Sequence, residues 1–430
     1  MEIEDCLNSI PRHSISINLD RIKEETKRLC IISPTFNYIQ IAGTKGKGST
    51  AVFLQNILIK SGLKVGLFIS PHLVSINERI SINSELIDDE SLEQLYKKVS
   101  KTLNFFETLF VIAMLYFEKE RVDIAILETG LGGRLDPTNS LNTLPLLSII
   151  TTIGMDHLDI LGDTIEEIAH EKAGIIKRGV DVITSPQREE VLNIIIDKAK
   201  DMNSRIYRID TKCSIITKEV NNIEFEEFSL YSNISDNFYK DLRIRLSGKH
   251  QLINANLALC AVEILQTRGY RISEQDIRDG LLDAFLPGRF QIFKISDKNV
   301  VLDGAHNPES SKSLYVTLNN KFNRKKVIYI LTTLKNKLAE EIISNLISNS
   351  KIFLFTELSE CNSYSAKELK DILQNINPSI EYKEINNPLN AFKYALEISN
   401  KNDVICITGS LYLVGKMLKY LKNEINGGLF

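Results

Sequence analysis

The stretch Ala42-Gly43-Thr44-Lys45-Gly46-Lys47-Gly48-Ser49-Thr50 constrains this chain more than any other. It follows an apolar run, Tyr38 to Ala42, that reads as a buried strand. It precedes Ala51, Val52, Leu54, Gln55 and Leu58, which read as a helix starting near Ser49. Strand, glycine turn and helix in that order form a phosphate cradle. Glycines let backbone N–H groups close on an anion, and the helix N-terminus adds a positive partial charge. Lys47 can reach terminal phosphates, and the Ser49 or Thr50 hydroxyl can face Mg²⁺. The pattern departs from G-x-x-x-x-G-K-[ST], because Ile41 replaces the first glycine and Gly48 separates lysine from hydroxyl. A plain glycine turn between strand and helix is the alternative. The cradle predicts a nucleotide and names no reaction.

Apolar runs alternate with amphipathic stretches through the first half. Tyr38–Ala42, Val65–Ile69, Val122–Glu128, Leu146–Thr151 and Asp181–Thr184 read as strands. Glu90–Val99, Phe105–Glu118, Ile165–Ala173 and Glu189–Ala199 carry helical periodicity, which predicts a parallel sheet covered by helices. Between Ser204 and Leu246 the segments Ile206–Ile209, Ile223–Phe225 and Leu242–Leu246 alternate and read as antiparallel strands. Helix returns over His250–Gln266. The Pro287-Gly288 pair punctuates a helix-to-strand change. Beyond it, strands Val300–Asp303, Lys326–Leu331, Ile352–Thr356 and Val404–Thr408 interleave with five helical stretches. The expected architecture is therefore α/β: a doubly wound domain with a phosphate loop over residues 1–286, and a smaller Rossmann-like α/β domain over 287–430. A chain of 430 residues exceeds one ordinary core, which fits two domains.

A net charge of -3 creates no basic field, so nucleic acid is not expected as a partner. No apolar run is long enough to span a membrane, and Met-Glu-Ile-Glu-Asp lacks the charge of a signal peptide. Six scattered cysteines without a C-x-x-C pair suit a reducing compartment. A cytoplasmic protein is the expectation.

Several carboxylates and bases fall at predicted strand ends, where α/β proteins bind ligands. Glu128 ends one strand and could ligate Mg²⁺, a hard ion that favours oxygen. The glycines after it, with Arg134 and Asp136, read as a loop free to close over substrate. A tight surface turn is the alternative. Ser70 tops another strand, as a second metal oxygen or as part of a Ser-Pro turn. His157 could be a ligand or a structural residue on equal grounds. Lys172 could simply complement a helix C-terminus. Asp303 and His306 suit a ribose hydroxyl and a phosphate. Asn307 and Pro308 also read as an ordinary helix cap.

These motifs occur together in the order of one family. The blocks AGTKGKGST, SPHLVSINERI, FFE (Phe105–Glu107), LETGLGGRLDPTN, TTIGMDHLDILG, IAHEKAGIIK, GKHQLINANLAL, LPGRFQ, DGAHNP and TGSLYLVG resemble the folylpolyglutamate synthase/dihydrofolate synthase family, within the ATP-dependent Mur ligases. The resemblance runs from about Leu19 to Gly415. It implies ATP-driven addition of L-glutamate to a folate or to dihydropteroate through an acyl phosphate, by a monomer. It implies that Gly43, Thr44, Gly46, Lys47, Gly48, Ser49 and Thr50 cradle ATP, with Lys47 catalytic. Asn254 and Arg289 would contact the nucleotide, Asp303 the ribose and His306 the phosphates. Ser70, Glu128 and His157 would ligate Mg²⁺, and Lys172 would be carbamylated beside the metal. Arg79 and Phe106 would lie near the pterin. Leu334-Lys335-Asn336-Lys337 stands where many relatives are acidic, and Ile17-Asn18-Leu19-Asp20-Arg21 departs from their Ile-Asp-Leu-Gly-Leu-Glu-like segment. A Mur-type ligase with another acceptor, a simple phosphate-loop kinase or ATPase, and a non-catalytic nucleotide-binding module are the rival readings.

Overall fold

The computed structural model describes residues 3–11, 19–217, 222–295 and 297–426. Ile17 and Asn18 lie outside the described residues. Two compact units result, the first comprising Met1–Lys218, Glu227–Arg245 and His250–Phe285. The second begins at Leu286 and also takes in Glu219–Glu226 and Leu246–Lys249, segments that no composition shift marks.

The first unit is built on an eight-stranded sheet. Its strands are β1 (Asn37–Ala42), β2 (Val65–Phe68), β3 (Ile80–Ile82), β4 (Glu85–Leu86), β5 (Ile124–Glu128), β6 (Leu147–Ile150), β7 (Val182–Thr184) and β8 (Ile206–Arg208). They lie in the order β4-β3-β2-β5-β1-β6-β7-β8. Strands β2, β5, β1, β6, β7 and β8 run parallel, and their side chains are largely buried because helices cover both faces. β3 and β4 add an antiparallel edge that the sequence reading lacked.

β1 sits between β5 and β6, with Ile41 opposite Glu128 and Ala42 opposite Ile150. Three neighbouring strands therefore end at one level, and their loops start at Gly43, Thr129 and Thr151. This is the switch point at which doubly wound sheets open a crevice.

Two expectations in the middle of the chain are corrected. Ile206–Arg208 was expected in an antiparallel sheet but extends the main sheet parallel to β7. Three alternating residues look the same in either setting, and the preceding helix Glu189–Asp201 supplies the crossover. Ile223–Phe225 is not a strand; the chain enters β10 (Glu226–Ser232) one residue later. With β9 (Cys213–Thr217) and β11 (Asn237–Ile244) it forms a separate three-stranded sheet. Asp241, at φ 53°, breaks the alternation of β11, so Tyr239 and Leu242 are both buried.

The second unit carries a six-stranded sheet in the order β12-β13-β17-β14-β15-β16. The ranges are β12 Gln291–Ile295, β13 Lys298–Leu302, β14 Val327–Leu331, β15 Ser350–Phe355, β16 Tyr382–Glu384 and β17 Val404–Thr408. From β13 onward neighbours are parallel, while β12 is antiparallel to β13. β12 and β16, both at sheet edges, were not anticipated. Tyr329, Phe353 and Phe355 stack through its core at centroid distances of 5.2 and 5.6 Å. Among the described residues no helix is long and apolar enough to cross a membrane.

Candidate active site

The phosphate loop leaves β1 with Gly43 at φ 148°, and a Cβ there would fall 1.9 Å from the Thr151 hydroxyl. Gly46, at φ 86°, caps the helix Lys47–Lys60, which starts two residues before the expected Ser49. A Cβ on Gly46 would meet the Asn254 side-chain oxygen at 2.2 Å, so glycine is required both for conformation and for space. Thr44 and Lys45 donate their N–H groups to the Thr152 carbonyl at 2.9 and 3.1 Å. The Thr44 hydroxyl bonds both the carbonyl and the N–H of Gly154, at 3.0 and 3.1 Å. The first half of the loop is thus tied to the end of β6. The donors aimed at an anion are those of the first helical turn, Lys47, Gly48 and Ser49, which have no carbonyl a turn behind them. Ser49 and Thr50 are buried, and the Thr50 hydroxyl has no hydrogen-bond partner among the described residues.

Lys47 Nζ donates to the Gly43 carbonyl at 3.1 Å and lies 3.8 Å from Glu128 Oε1. Lys172, on the helix Ile165–Ala173, donates to the same carbonyl at 3.0 Å. Burial, and then the charge of Lys47, bring the Lys172 ammonium down to about 7, against weaker support from Asp156, Asp136 and Glu171. Glu128 is buried, and its Oε2 accepts the Ser70 N–H at 3.0 Å. Lys47, Lys172, Glu128 and Ser70 are thereby brought together around Gly43. His157 is placed otherwise. Its ring is exposed, and its Nε2 lies 3.8 Å from Asp156 Oδ2.

The loop after β5 is not free. Asp136 is buried and accepts the N–H groups of Gly130 and Leu131 at 2.8 and 2.9 Å. It also accepts the Thr138 N–H and hydroxyl at 3.0 and 2.6 Å. Burial raises its pKa despite those four donors. Arg134 bonds Glu171 through Nη2 at 2.7 Å, fastening the loop to the helix of Lys172. The loop's glycines pack closely against their surroundings. A Cβ on Gly130 would strike the Phe106 ring at 2.4 Å.

Phe106 also packs on Phe68, with centroids 5.3 Å apart. Arg79 is buried, donates through Nε to His72 Nδ1 at 2.9 Å, and stacks over Phe105 at 5.2 Å. The acceptor role fixes His72 as neutral with its proton on Nε2. Asn254, on the helix Lys249–Thr267, gives its Nδ2 to Gln251 Oε1 at 2.9 Å, which turns its oxygen to the phosphate loop. Gln251, Thr152 and His72 were missed as contributors. They stood inside the quoted motifs, but only tertiary pairing gives them roles.

In the second unit, Asp303 accepts the N–H groups of Phe290 and Ala305 at 2.8 and 2.9 Å. Burial raises its pKa, and nearby Arg289 opposes this. The Arg289 Nη1 lies 3.1 Å from where a Cβ on Gly304 would sit. His306 Nδ1 lies 2.8 Å from the Gly304 carbonyl, an acceptor, so Nδ1 carries a proton and donates it there. Lys335, in the loop that departs from acidic relatives, pairs with Glu368 at 2.8 Å.

Among the described residues no group of three or more His, Cys, Asp and Glu side chains is set to hold a metal. The buried Glu128 carboxylate, anchored by Ser70 beside the phosphate loop, nevertheless offers the oxygen chemistry that a hard divalent cation takes.

A phosphate loop at the switch point of one parallel sheet defines a nucleotide-binding α/β protein. A family profile described as "Mur ligase middle domain" matches residues 41–262, and one described as "Dihydrofolate synthetase, C-terminal domain" matches 289–420. The chain is 34% identical over 424 residues to the dihydrofolate synthase/folylpolyglutamate synthase of Bacillus subtilis, covering 96% of each. It superposes on the crystal structure of folylpolyglutamate synthase from Thermotoga maritima with TM-score 0.86 and 33% identity, covering 98% of this chain and 96% of that one. It resembles Escherichia coli FolC in complex with DHPP and ADP with TM-score 0.87 and 26% identity, over 99% and 98% of the two chains. The chain belongs to the dihydrofolate synthase/folylpolyglutamate synthase family.

Proposed function

We propose that this chain uses ATP to join L-glutamate to the carboxylate of a folate, and of dihydropteroate, through an acyl phosphate. The observation that carries the reading is the set Lys47, Glu128 and Lys172 around the Gly43 carbonyl, the last two buried, in a chain related over almost its whole length to such synthases. A carboxylate oxygen of the acceptor attacks the γ-phosphorus, and the bond to the ADP oxygen breaks. The glutamate amine then attacks the acyl carbon, phosphate leaves, and the amine loses a proton.

The N–H groups of Lys47, Gly48 and Ser49 and the Lys47 ammonium would meet the phosphates, and Gly43, Thr44, Gly46 and Thr50 give the loop its shape. Ser70, Glu128 and His157 would hold Mg²⁺. When bound, that ion would neutralise charge on the phosphoryl oxygens. Phe106 and Arg79 would border the pterin. Asn254, Arg289, Asp303 and His306 would serve the nucleotide. With Nδ1 donating to the Gly304 carbonyl, His306 would meet a phosphate oxygen through a protonated Nε2.

Lys172 would be carbamylated. Its buried amine, with a pKa of about 7, has a sizeable neutral fraction near neutral pH. That amine attacks CO₂, a C–N bond forms and a proton departs, leaving a negative group beside Lys47. A reducing compartment such as the cytoplasm accords with the six free cysteines.

The test is ADP release by the full-length protein with ATP, Mg²⁺ and a panel of acceptors. Release that requires both L-glutamate and tetrahydrofolate or dihydropteroate is expected. Release independent of both, or supported only by an unrelated acceptor, overturns the reading.

A further inference from the structure

We propose that Gln187 is a positioning residue for nucleotide binding, acting through the Thr152 peptide on the phosphate loop; the inference rests on the nucleotide assignment above. Gln187 lies just beyond β7, outside every motif singled out in the sequence. Its Nε2 donates to the Thr151 carbonyl at 2.9 Å, and its Oε1 accepts the Ile153 N–H at 3.1 Å. One primary amide thus grips the backbone on both sides of Thr152. The Thr152 carbonyl between those grips accepts the N–H groups of Thr44 and Lys45 at 2.9 and 3.1 Å. Gln187 reaches its own place through Thr184 Oγ1 at 3.3 Å and Ser185 Oγ at 3.1 Å. The Ser185 N–H in turn meets the Ile150 carbonyl at 3.1 Å.

The physical consequence is directional. A peptide held only by its neighbours can rotate, and its carbonyl then swings away from the loop. With residues 151 and 153 pinned by one rigid amide, the Thr152 carbonyl is held toward Thr44 and Lys45. Those two N–H groups are then spent on the protein, and the turn that follows presents Lys47, Gly48 and Ser49 outward. Losing the brace leaves the chain able to fold, because β6 and β7 still pair at Ser148–Val182, Ile149–Ile183 and Ile150–Thr184. What is lost is the preorganisation of the anion-binding turn.

The experiment compares full-length protein with Gln187→Ala, Gln187→Glu and Ser185→Ala, using calorimetric titration with ADP and steady-state kinetics. Gln187→Ala should weaken ADP binding and raise the KM for ATP by roughly tenfold, the worth of about one to two hydrogen bonds. The KM for glutamate at saturating ATP should stay within about twofold of the unaltered value. Gln187→Glu keeps the acceptor for Ile153 but loses the donor to Thr151. It should fall between the two and stands in if the alanine variant does not fold. Ser185→Ala removes one anchor of Gln187 and a hydroxyl contact with Thr152 but leaves the grip on residues 151 and 153, so it should weaken ADP binding less than Gln187→Ala does. Unchanged ADP affinity in folded Gln187 variants overturns the proposal. So does a parallel rise in every KM with a lowered melting temperature, which would make Gln187 merely structural. Failure of the unaltered protein to bind ADP removes the nucleotide assignment itself and the proposal with it.

Discussion

Lys47 and Lys172 place their ammonium groups on one acceptor, the Gly43 carbonyl oxygen, at 3.1 and 3.0 Å. Burial first, and then the charge of Lys47, disfavours the protonated form of Lys172. The ordinary lysine value of 10.5 drops to about 7 for Lys172.

The first prediction follows from that drop. The unfolded chain keeps this proton up to about 10.5 and the folded chain releases it near 7, so the residue's contribution to stability rises with pH across that window. At fixed CO₂ pressure, uptake of labelled carbon by Lys172 should likewise rise as pH passes upward through about 7. Carbon NMR of protein equilibrated with labelled bicarbonate reads it out. Lys172→Ala should be inactive, partly rescued by small carboxylates, and should show no carbamate signal. A pH-independent signal in that variant, or none in the unaltered protein, contradicts the assignment.

Lys47→Ala should remove one charged donor at the phosphoryl transition state. The expected loss is about 2.7–4 kcal/mol, a hundred- to thousandfold in kcat, with the fold intact by circular dichroism. Near-normal kcat in folded protein would remove Lys47 from the chemistry.

Glu128→Gln keeps an oxygen for the Ser70 N–H but removes the charge beside Lys47. Half-maximal activity should then need at least about tenfold more Mg²⁺. His157→Ala should shift the Mg²⁺ titration in the same direction. Superimposable titration curves for both variants would make the two residues structural.

Gly130→Ala tests the acceptor site. Its backbone tolerates alanine, but the new Cβ meets the Phe106 ring at 2.4 Å. Displacing the ring should cost about 1–3 kcal/mol of folding stability and raise the KM for folate with the KM for ATP unchanged. Adding Phe106→Leu should restore part of the folding stability without restoring folate affinity. Equal loss for both substrates would show a general disturbance.

Much of the first unit was legible because its code is local. Tyr38–Ala42, the glycine turn and the helix after it specify one another over a few residues. The apolar runs that became β5 and β6 also placed Glu128 and Thr151 at strand ends. What stayed hidden depends on pairing at long range. Thr44 meets Gly154 across 110 positions, and no spacing rule connects them. The loop after Glu128 looked mobile from its glycines, whereas Asp136 and Arg134 fasten it. Short edge strands such as β8 and β16 carry too few residues for their alternation to choose a partner.

Transfer of a heavy-oxygen label tests the central claim most directly. The acceptor is prepared with the label in its reacting carboxylate and incubated with ATP, Mg²⁺, L-glutamate and the full-length protein. An acyl phosphate pathway delivers one labelled oxygen to each released phosphate and yields acceptor extended by one glutamate, both read by mass spectrometry. Unlabelled phosphate, or ADP released without extended product, would contradict it.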